Sequence, residues 1–126
     1  MGDTSDRLEL CGLEVLCVIG DLPEERCREQ RLSVDVALSC GDLSAAAASD
    51  ALCDTVDYAA LAAAIRAALR QARCRMLERA AECVARVCLA EPRVSGVRVR
   101  VEKAGAVAGL RAAAVTIERG KGGAVA

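Results

Sequence analysis

Residues 57–103 read DYAALAAAIRAALRQARCRMLERAAECVARVCLAEPRVSGVRVRVEK, two helix-like segments followed by a strand-like one. Apolar residues recur every three to four positions after Asp57, which predicts an amphipathic helix over residues 58–73 with Asp57 as its N-cap. The same spacing predicts a second helix over residues 76–90, which Pro92 ends. This helical hairpin is the centre of the predicted fold.

Strand patterns lie on both sides of the two helices. Valine alternates with charged residues over 97–102, and a similar alternation returns over 113–117 after a loop. Before the helices, residues 8–19 predict a strand with a bulge or kink at Gly12. Residues 32–38 alternate as a half-buried antiparallel strand does. The sequence therefore predicts four strands.

The resulting order is strand, strand, helix, helix, strand, strand (ββααββ). Strand pairs on either side of a helical hairpin predict an α+β fold, in which a four-stranded antiparallel sheet carries both helices on one face. The small-residue connection at 41–53 has room for one helical turn over its alanines. We expect a single domain over residues 1–126, with disordered tails at 1–6 and 120–126.

Composition excludes several classes of function. The 126 residues carry 17 Lys+Arg and 18 Asp+Glu, and this net charge of −1 argues against a basic nucleic-acid footprint. The chain has no histidine, which excludes a His-ligated zinc or haem, a Ser-His-Asp triad and a Cys-His dyad. Tyr58 is the one aromatic residue, so stacking platforms for single-stranded nucleic acid are not expected.

The apolar residues are mostly small, which predicts a thin core. Phe and Trp are absent, so we expect the chain to bury further surface against copies of itself. None of the eight cysteines forms a C-x-x-C pair, and we expect reduced, mostly buried thiols. The acidic start at 1–6 is unlike a signal peptide, and no apolar run reaches the length of a membrane span. We therefore expect a cytoplasmic protein.

Without histidine, proton transfer falls to carboxylates, Lys, Tyr or Cys. Four candidates stand out: Lys103 at the end of a strand, Tyr58 at the start of a helix, Glu78 in a helix first turn, and Glu25 in a charged loop. Taken singly, each has a simpler explanation: a solvated lysine, a packing tyrosine, a carboxylate favoured by the helix dipole and a loop charge that aids solubility.

Taken together, the motifs resemble those of the dihydroneopterin aldolase family. The resemblance covers about residues 7–120 and follows the predicted order of strands and helices. It is carried by Ile19-Gly20, Glu25 and Gln30, Asp54-Thr55-Val56-Asp57-Tyr58, Leu77-Glu78, Lys103-Ala104-Gly105-Ala106-Val107-Ala108 and Ile117-Glu118-Arg119-Gly120.

This resemblance implies a fold, a reaction and an assembly. Family members adopt the tunnelling fold, in which subunits join their sheets into a ring and two rings usually stack into an octamer. They split 7,8-dihydroneopterin into 6-hydroxymethyl-7,8-dihydropterin and glycolaldehyde in folate synthesis, at active sites between neighbouring subunits. The dihydropterin ring is its own electron sink, so the resemblance implies no metal, no cofactor and no lysine Schiff base. The partners it implies are a small-molecule pterin and further copies of this chain.

The resemblance also assigns residue roles. Acid–base work falls to Lys103, through an ordered water, and to Tyr58 from the neighbouring subunit. Glu25, five residues before Gln30, would orient the substrate's hydroxyls and the water. Glu78 would accept two parallel hydrogen bonds from the pterin ring. The remaining substrate-binding positions are Leu77, Val56 and Gly20.

One departure and two alternatives stay open. Ala104 stands where many family members have proline, which affects the stiffness of the loop rather than the identity of the lysine. An epimerase acting on dihydroneopterin triphosphate would need arginines at the pocket mouth, which Arg26, Arg28 and Arg111 could supply. A non-catalytic, oligomeric pterin-binding module is the second alternative. The 105–108 stretch and the Glu118-Arg119-Gly120 ending favour the aldolase.

Overall fold

The computed structural model describes residues 6–121. Its four strands are β1 (Arg7–Cys17), β2 (Gln30–Ser39), β3 (Gly96–Ala104) and β4 (Ala112–Gly120). Its helices are α1 (Ser44–Ser49), α2 (Tyr58–Ala72) and α3 (Leu77–Leu89), with short 3-10 turns at Glu25–Cys27 and Leu52–Asp54. The predicted helical turn over the alanines is α1.

All four strands form one antiparallel sheet in the order β1-β2-β3-β4. The register of β1 against β2 shifts between Leu10 and Leu13, as the predicted bulge requires. Gly12 takes a φ of 70° there, and its N–H donates to Asp35 Oδ1 at 2.6 Å. Between β2 and β3, Leu32 lies opposite Lys103. The bulge therefore bends the edge strand β1, while the register of β2 and β3 continues to the site.

The core lies between one face of the sheet and helices α2 and α3. Alternate residues of β2 and β3 are buried together with a helix stripe that includes Leu61, Ile65 and Leu69. Helix α3 contributes mainly Ala and Val to this core. The core is thus built of small and medium side chains, as the composition predicted. No helix in the described range 6–121 is both long enough and apolar enough to cross a membrane.

The predicted fold class is confirmed: the chain is α+β, with strands and helices in the predicted ββααββ order. The Asp57 side chain caps α2 by accepting from the Ala60 N–H at 3.1 Å. The predicted disordered tails are wrong at three positions. Gly120 pairs with Gly96 in the sheet, Lys121 Nζ donates to two backbone carbonyls, and Asp6 accepts from the Leu43 N–H. The rest of both predicted tails, 1–5 and 122–126, lies outside the described residues.

Candidate active site

Lys103 is a buried charge on the core side of the sheet. It continues the alternation of Val97, Val99 and Val101 along β3, which turns its side chain toward the helices. Lys103 is 7% exposed and is the one charged residue that is buried among residues 6–121. An ammonium in such a place is costly unless it is paired. The simpler interpretation of Lys103 as a solvated strand-end lysine is therefore wrong.

The partner of Lys103 is Glu25, from the 3-10 turn of the loop between β1 and β2. Its Oε2 accepts from Lys103 Nζ in a short ion pair and from Gln30 Nε2 at 3.1 Å, and its Oε1 accepts from the Leu22 N–H at 3.2 Å. These contacts lower the pKa of Glu25 from 4.5 to about 2, and the hydrogen bond from Lys103 is the largest cause, with that from Gln30 second. Glu25 is therefore ionised at neutral pH.

Gly20 leaves the space that the Glu25 carboxylate occupies. A Cβ built on Gly20 would overlap the carboxyl atoms of Glu25, and the φ of 129° at this position also favours glycine. Gln30 supports the same arrangement, since its Nε2 also donates to the Ile19 carbonyl at 2.7 Å. Gly20 was expected to contact the substrate. In the structure, the absence of a side chain at Gly20 leaves room for the Glu25 carboxylate.

The start of α3 lies beside this loop. The Gly20 N–H donates to the Cys74 carbonyl at 3.2 Å, and α3 begins three residues after Cys74 with Leu77 and Glu78. Glu78 is exposed in the first turn, where the helix dipole favours a carboxylate, and Leu77 is half-buried. The structure thus brings Glu25, Lys103, Gly20, Leu77 and Glu78 to one end of the sheet.

Two predicted site residues have different surroundings. Val56 is 2% exposed and belongs to the apolar core, so its side chain is not on the surface. Tyr58 is 61% exposed and lines a surface depression formed with residues 9–14 of β1. Arg66, eight residues further along α2, donates to the Glu14 carbonyl, so Tyr58 lies toward the Leu10 end of this depression. In the sheet, Leu10 pairs with Val36 and Val36 with Val99, which is four residues, about 13 Å, along β3 from Lys103. One copy of the chain therefore does not bring Tyr58 to Lys103.

The Lys103–Glu25 pair can both donate and accept protons in hydrogen bonds. A carboxylate offers about four acceptor positions, and Lys103, Gln30 and Leu22 take three of them. An ammonium has three donors, of which Glu25 takes one. The pair can thus hold a water or a hydroxyl between a fixed donor and a fixed acceptor. No group of three or more His, Cys, Asp or Glu side chains within 6–121 is placed to hold a metal ion.

Gln30 and Arg26 have roles in the structure that the sequence did not predict. Gln30 belongs to the motif but had no assigned task, and the structure gives it one on Glu25. Arg26 looked like one more charge in a charged loop, yet its guanidinium donates to three backbone carbonyls. Nothing in the sequence distinguishes Arg26 from Arg28, because two of the three partners of Arg26 lie about 50 residues further along the chain and all three are backbone carbonyls.

Comparisons with known proteins find similar sequences over most of the chain. The family model described as dihydroneopterin aldolase (FolB) matches residues 8–118. The dihydroneopterin aldolase of Escherichia coli K12 is 37% identical over 108 residues, which cover 86% of this chain and 88% of that protein.

Solved structures show the same likeness. The E. coli enzyme in complex with neopterin has a TM-score of 0.85 and 36% identity, covering 91% of this chain and 99% of that one. A Burkholderia thailendensis dihydroneopterin aldolase bound to guanine has a TM-score of 0.78 and 28% identity, covering 93% and 92%.

We expect Glu25 to stabilise the fold above pH 4.5 and to lose that contribution as the pH falls toward 2. Because its folded pKa of about 2 lies below the ordinary 4.5, the unfolded chain takes up a proton at this carboxyl first on acidification. Thermal unfolding midpoints of the parent chain and Glu25→Gln should differ most near neutral pH and converge at the acid end. Glu24→Gln, the exposed neighbour, is the control, and a Glu25→Gln difference independent of pH would contradict the prediction.

Proposed function

The chain belongs to the dihydroneopterin aldolase family, and on that basis we propose how its residues divide the work of the reaction. It is a carbon–carbon lyase of folate biosynthesis, which splits 7,8-dihydroneopterin into 6-hydroxymethyl-7,8-dihydropterin and glycolaldehyde. The observation that carries the assignment of roles is the buried Lys103–Glu25 pair beside the start of α3. We assign the reaction to a single domain over residues 1–126 and place it in the cytoplasm.

The substrate supplies its own electron sink. The side-chain hydroxyl passes its proton to an ordered water held at the Lys103–Glu25 pair, the carbon–carbon bond breaks, and its electron pair moves onto the dihydropterin ring through the carbon–nitrogen double bond. A proton then returns to the carbon that stays on the ring, and the other fragment leaves as glycolaldehyde. We propose that neither a metal nor a Schiff base on Lys103 takes part, because the ring already accepts the electron pair.

In this proposal Lys103 and Tyr58 of a neighbouring copy carry the acid–base work, and Glu25 orients the substrate's hydroxyls and the ordered water. The ionised Glu25 accepts from a substrate hydroxyl or from an ordered water, and the Lys103 ammonium donates to the same group. Their mutual contact is supported by Gln30 and by the Leu22 N–H, so the geometry is set before substrate arrives. The burial of Lys103 excludes bulk water from the reacting atoms.

Glu78 recognises the pterin ring. An exposed carboxylate in the first turn of α3 can accept two parallel hydrogen bonds from the ring's amino group and the adjacent N–H. The neopterin and guanine in the two related structures share this amidine-like edge. Backbone groups near Leu77 and Val56 complete the polar edge in this proposal, which leaves the buried Val56 side chain in the core.

A second copy of the chain supplies Tyr58. Tyr58 is exposed beside the edge strand β1, two strands away from the strand that carries Lys103. The other edge of the sheet is β4, so pairing of β1 with β4 of a neighbour would cover both edges. We propose a ring of subunits, in a tetramer or octamer, with each active site formed between neighbours.

The contacts of Arg26 count against the triphosphate epimerase. An epimerase for the triphosphate would need free guanidinium groups at the pocket mouth. Arg26, one of the three arginines considered for that task, instead donates to the carbonyls of Gly20, Arg73 and Cys74. Its guanidinium is committed to the protein backbone.

Glu78 and Lys103 should separate binding from turnover. Glu78→Ala removes the charged acceptor of the ring and should weaken binding of a product analogue by about 1.5–3 kcal/mol. Lys103→Met should leave that affinity nearly unchanged and lower kcat by about 10²–10⁴-fold. Glu78→Gln, which keeps one acceptor oxygen, should lose less affinity than Glu78→Ala. Normal turnover by Lys103→Met would refute the role given to Lys103.

Chelation and borohydride should both leave the chemistry intact. If the ring is the electron sink, activity should survive prolonged dialysis against a strong chelator. Borohydride added with substrate should leave no adduct on Lys103, as measured by intact mass and peptide mapping. Activity lost on chelation and restored by zinc, or a reduced lysine adduct, would overturn this mechanism.

Mixed assemblies should test whether Tyr58 comes from the neighbour. Tyr58→Phe and Lys103→Met should each be strongly impaired alone. When subunits are mixed at random in equal amounts, about one site in four joins an intact Lys103 to an intact Tyr58, so about a quarter of the parent activity should return. Activity no greater than the sum of the separate variants, or a fully active monomer in light scattering, would contradict shared sites.

A further inference from the structure

Arg26 joins the two segments that carry the ends of the candidate site. Its Nη1 donates to the Gly20 carbonyl and to the Cys74 carbonyl, both at 3.1 Å. Its Nη2 donates to the Arg73 carbonyl at 2.8 Å, and Arg73 Nη2 donates back to the Arg26 carbonyl at 3.2 Å. One half-buried guanidinium thus bridges the loop before β2 and the connection between α2 and α3.

The three carbonyls explain why an arginine is required here. Arg73 is the C-cap of α2 with a φ of 47°, so this is a helix end, where carbonyls lack helical partners and a cation is favoured. The planar guanidinium presents several N–H groups in a fixed fork, whereas a lysine ammonium is a point charge on a flexible stem. A lysine ammonium also has three donors, but it would not hold the two segments at a fixed separation.

The two bridged segments lead directly to Glu25 and Glu78. Arg26 is the neighbour of Glu25 in the same 3-10 turn, and Cys74 is four residues before Glu78. The Gly20 N–H adds a parallel bond to Cys74 at 3.2 Å, so the contact is a small backbone-to-backbone interface with Arg26 at its centre. The distance between the Glu25 and Glu78 carboxylates therefore depends on Arg26.

We propose that Arg26 is a positioning residue. It holds the Glu25–Lys103 pair at the correct distance from Glu78, which binds the substrate's ring at the start of α3. This inference rests on the roles proposed above for Glu25, Lys103 and Glu78. Arg26 touches none of the reacting atoms in this arrangement and acts through the loop that carries Glu25.

The chain contains a matched control in Arg75. It also bridges the two segments, through an ion pair with Asp21 at 3.2 Å, but the two side chains are 61% and 72% exposed. Such an exposed pair contributes little to fixing a geometry. Arg75→Gln removes a charge and a bridge from the same connection, so it separates the effect of the Arg26 fork from the effect of lost charge.

Arg26→Gln should lower kcat for dihydroneopterin by about 10–100-fold, the usual consequence of a misplacement of about 1 Å. Affinity for 6-hydroxymethylpterin should change by less than about threefold. This ligand lacks the cleaved diol, and its ring binds to Glu78, which the substitution leaves in place on α3. Arg26→Lys should fall between, and Arg75→Gln should match the parent. Parent-like kcat in Arg26→Gln overturns the proposal.

A double-mutant cycle with Glu25→Gln distinguishes positioning from general structural support. If Arg26 acts through Glu25, Arg26→Gln should lower kcat much less in the Glu25→Gln background than in the parent. Equal losses in both backgrounds overturn the proposal. If Arg26→Gln does not fold, Arg26→Lys takes its place in the same cycle.

A readout independent of activity separates this inference from the proposed function. The pH at which the Glu25 contribution to the unfolding midpoint is lost should move upward toward 4.5 in Arg26→Gln, because the loosened loop weakens the Lys103 contact. A parent chain that binds the pterin without cleaving dihydroneopterin would refute the proposed function. An unmoved acid transition in Arg26→Gln would refute the positioning role alone.

Discussion

The buried ion pair between Lys103 and Glu25 is the interaction on which the site depends. A lysine on the core face of β3 would be strongly unfavourable without a partner, and Glu25 reaches it from a loop more than 70 residues earlier. The pair requires the missing side chain at Gly20, the amide of Gln30 and a loop folded tightly enough to present its own N–H groups. One electrostatic contact therefore sets the conformation of a whole loop.

The rest of the fold supplies a rigid frame for that contact. Strands β2 and β3 are the central pair of the sheet, and Lys103 continues the inward face of β3 directly opposite Leu32. The α2–α3 connection packs against the loop that carries Glu25, so the helical hairpin positions the start of α3 as well as covering the core. Helix α2 packs on β1 and α3 packs on β3 and β4, but the outer backbone edges of β1 and β4 pair with no strand of the described part of the chain. The assembly proposed above would pair these edges and would bring Tyr58 of one copy toward Lys103 of another.

The periodicity of β3 predicts the burial of Lys103, although the residue taken singly has the simpler interpretation of a solvated lysine. Valines at 97, 99 and 101 face inward, and the strict period of a strand puts Lys103 on the same face. A lysine in phase with a buried valine stripe predicts a buried charge with a partner, not a solvated end. For Arg26 there was no such signal, since its three acceptors are backbone carbonyls, which any sequence would provide.

The sequence by itself determined the four strands, the two main helices, the Asp57 cap and the bulge at Gly12, because each follows from a short-range period or a local hydrogen bond. Its motifs also identified the family and the candidate site residues. Only the tertiary structure decided which of them meet. It joined Glu25 to Lys103, turned the Val56 side chain into the core, left Tyr58 on the surface and gave Arg26 its three carbonyls. The contacts of Glu25 with Lys103 and of Arg26 with Arg73 and Cys74 join segments about 50 to 80 residues apart, which local patterns do not encode.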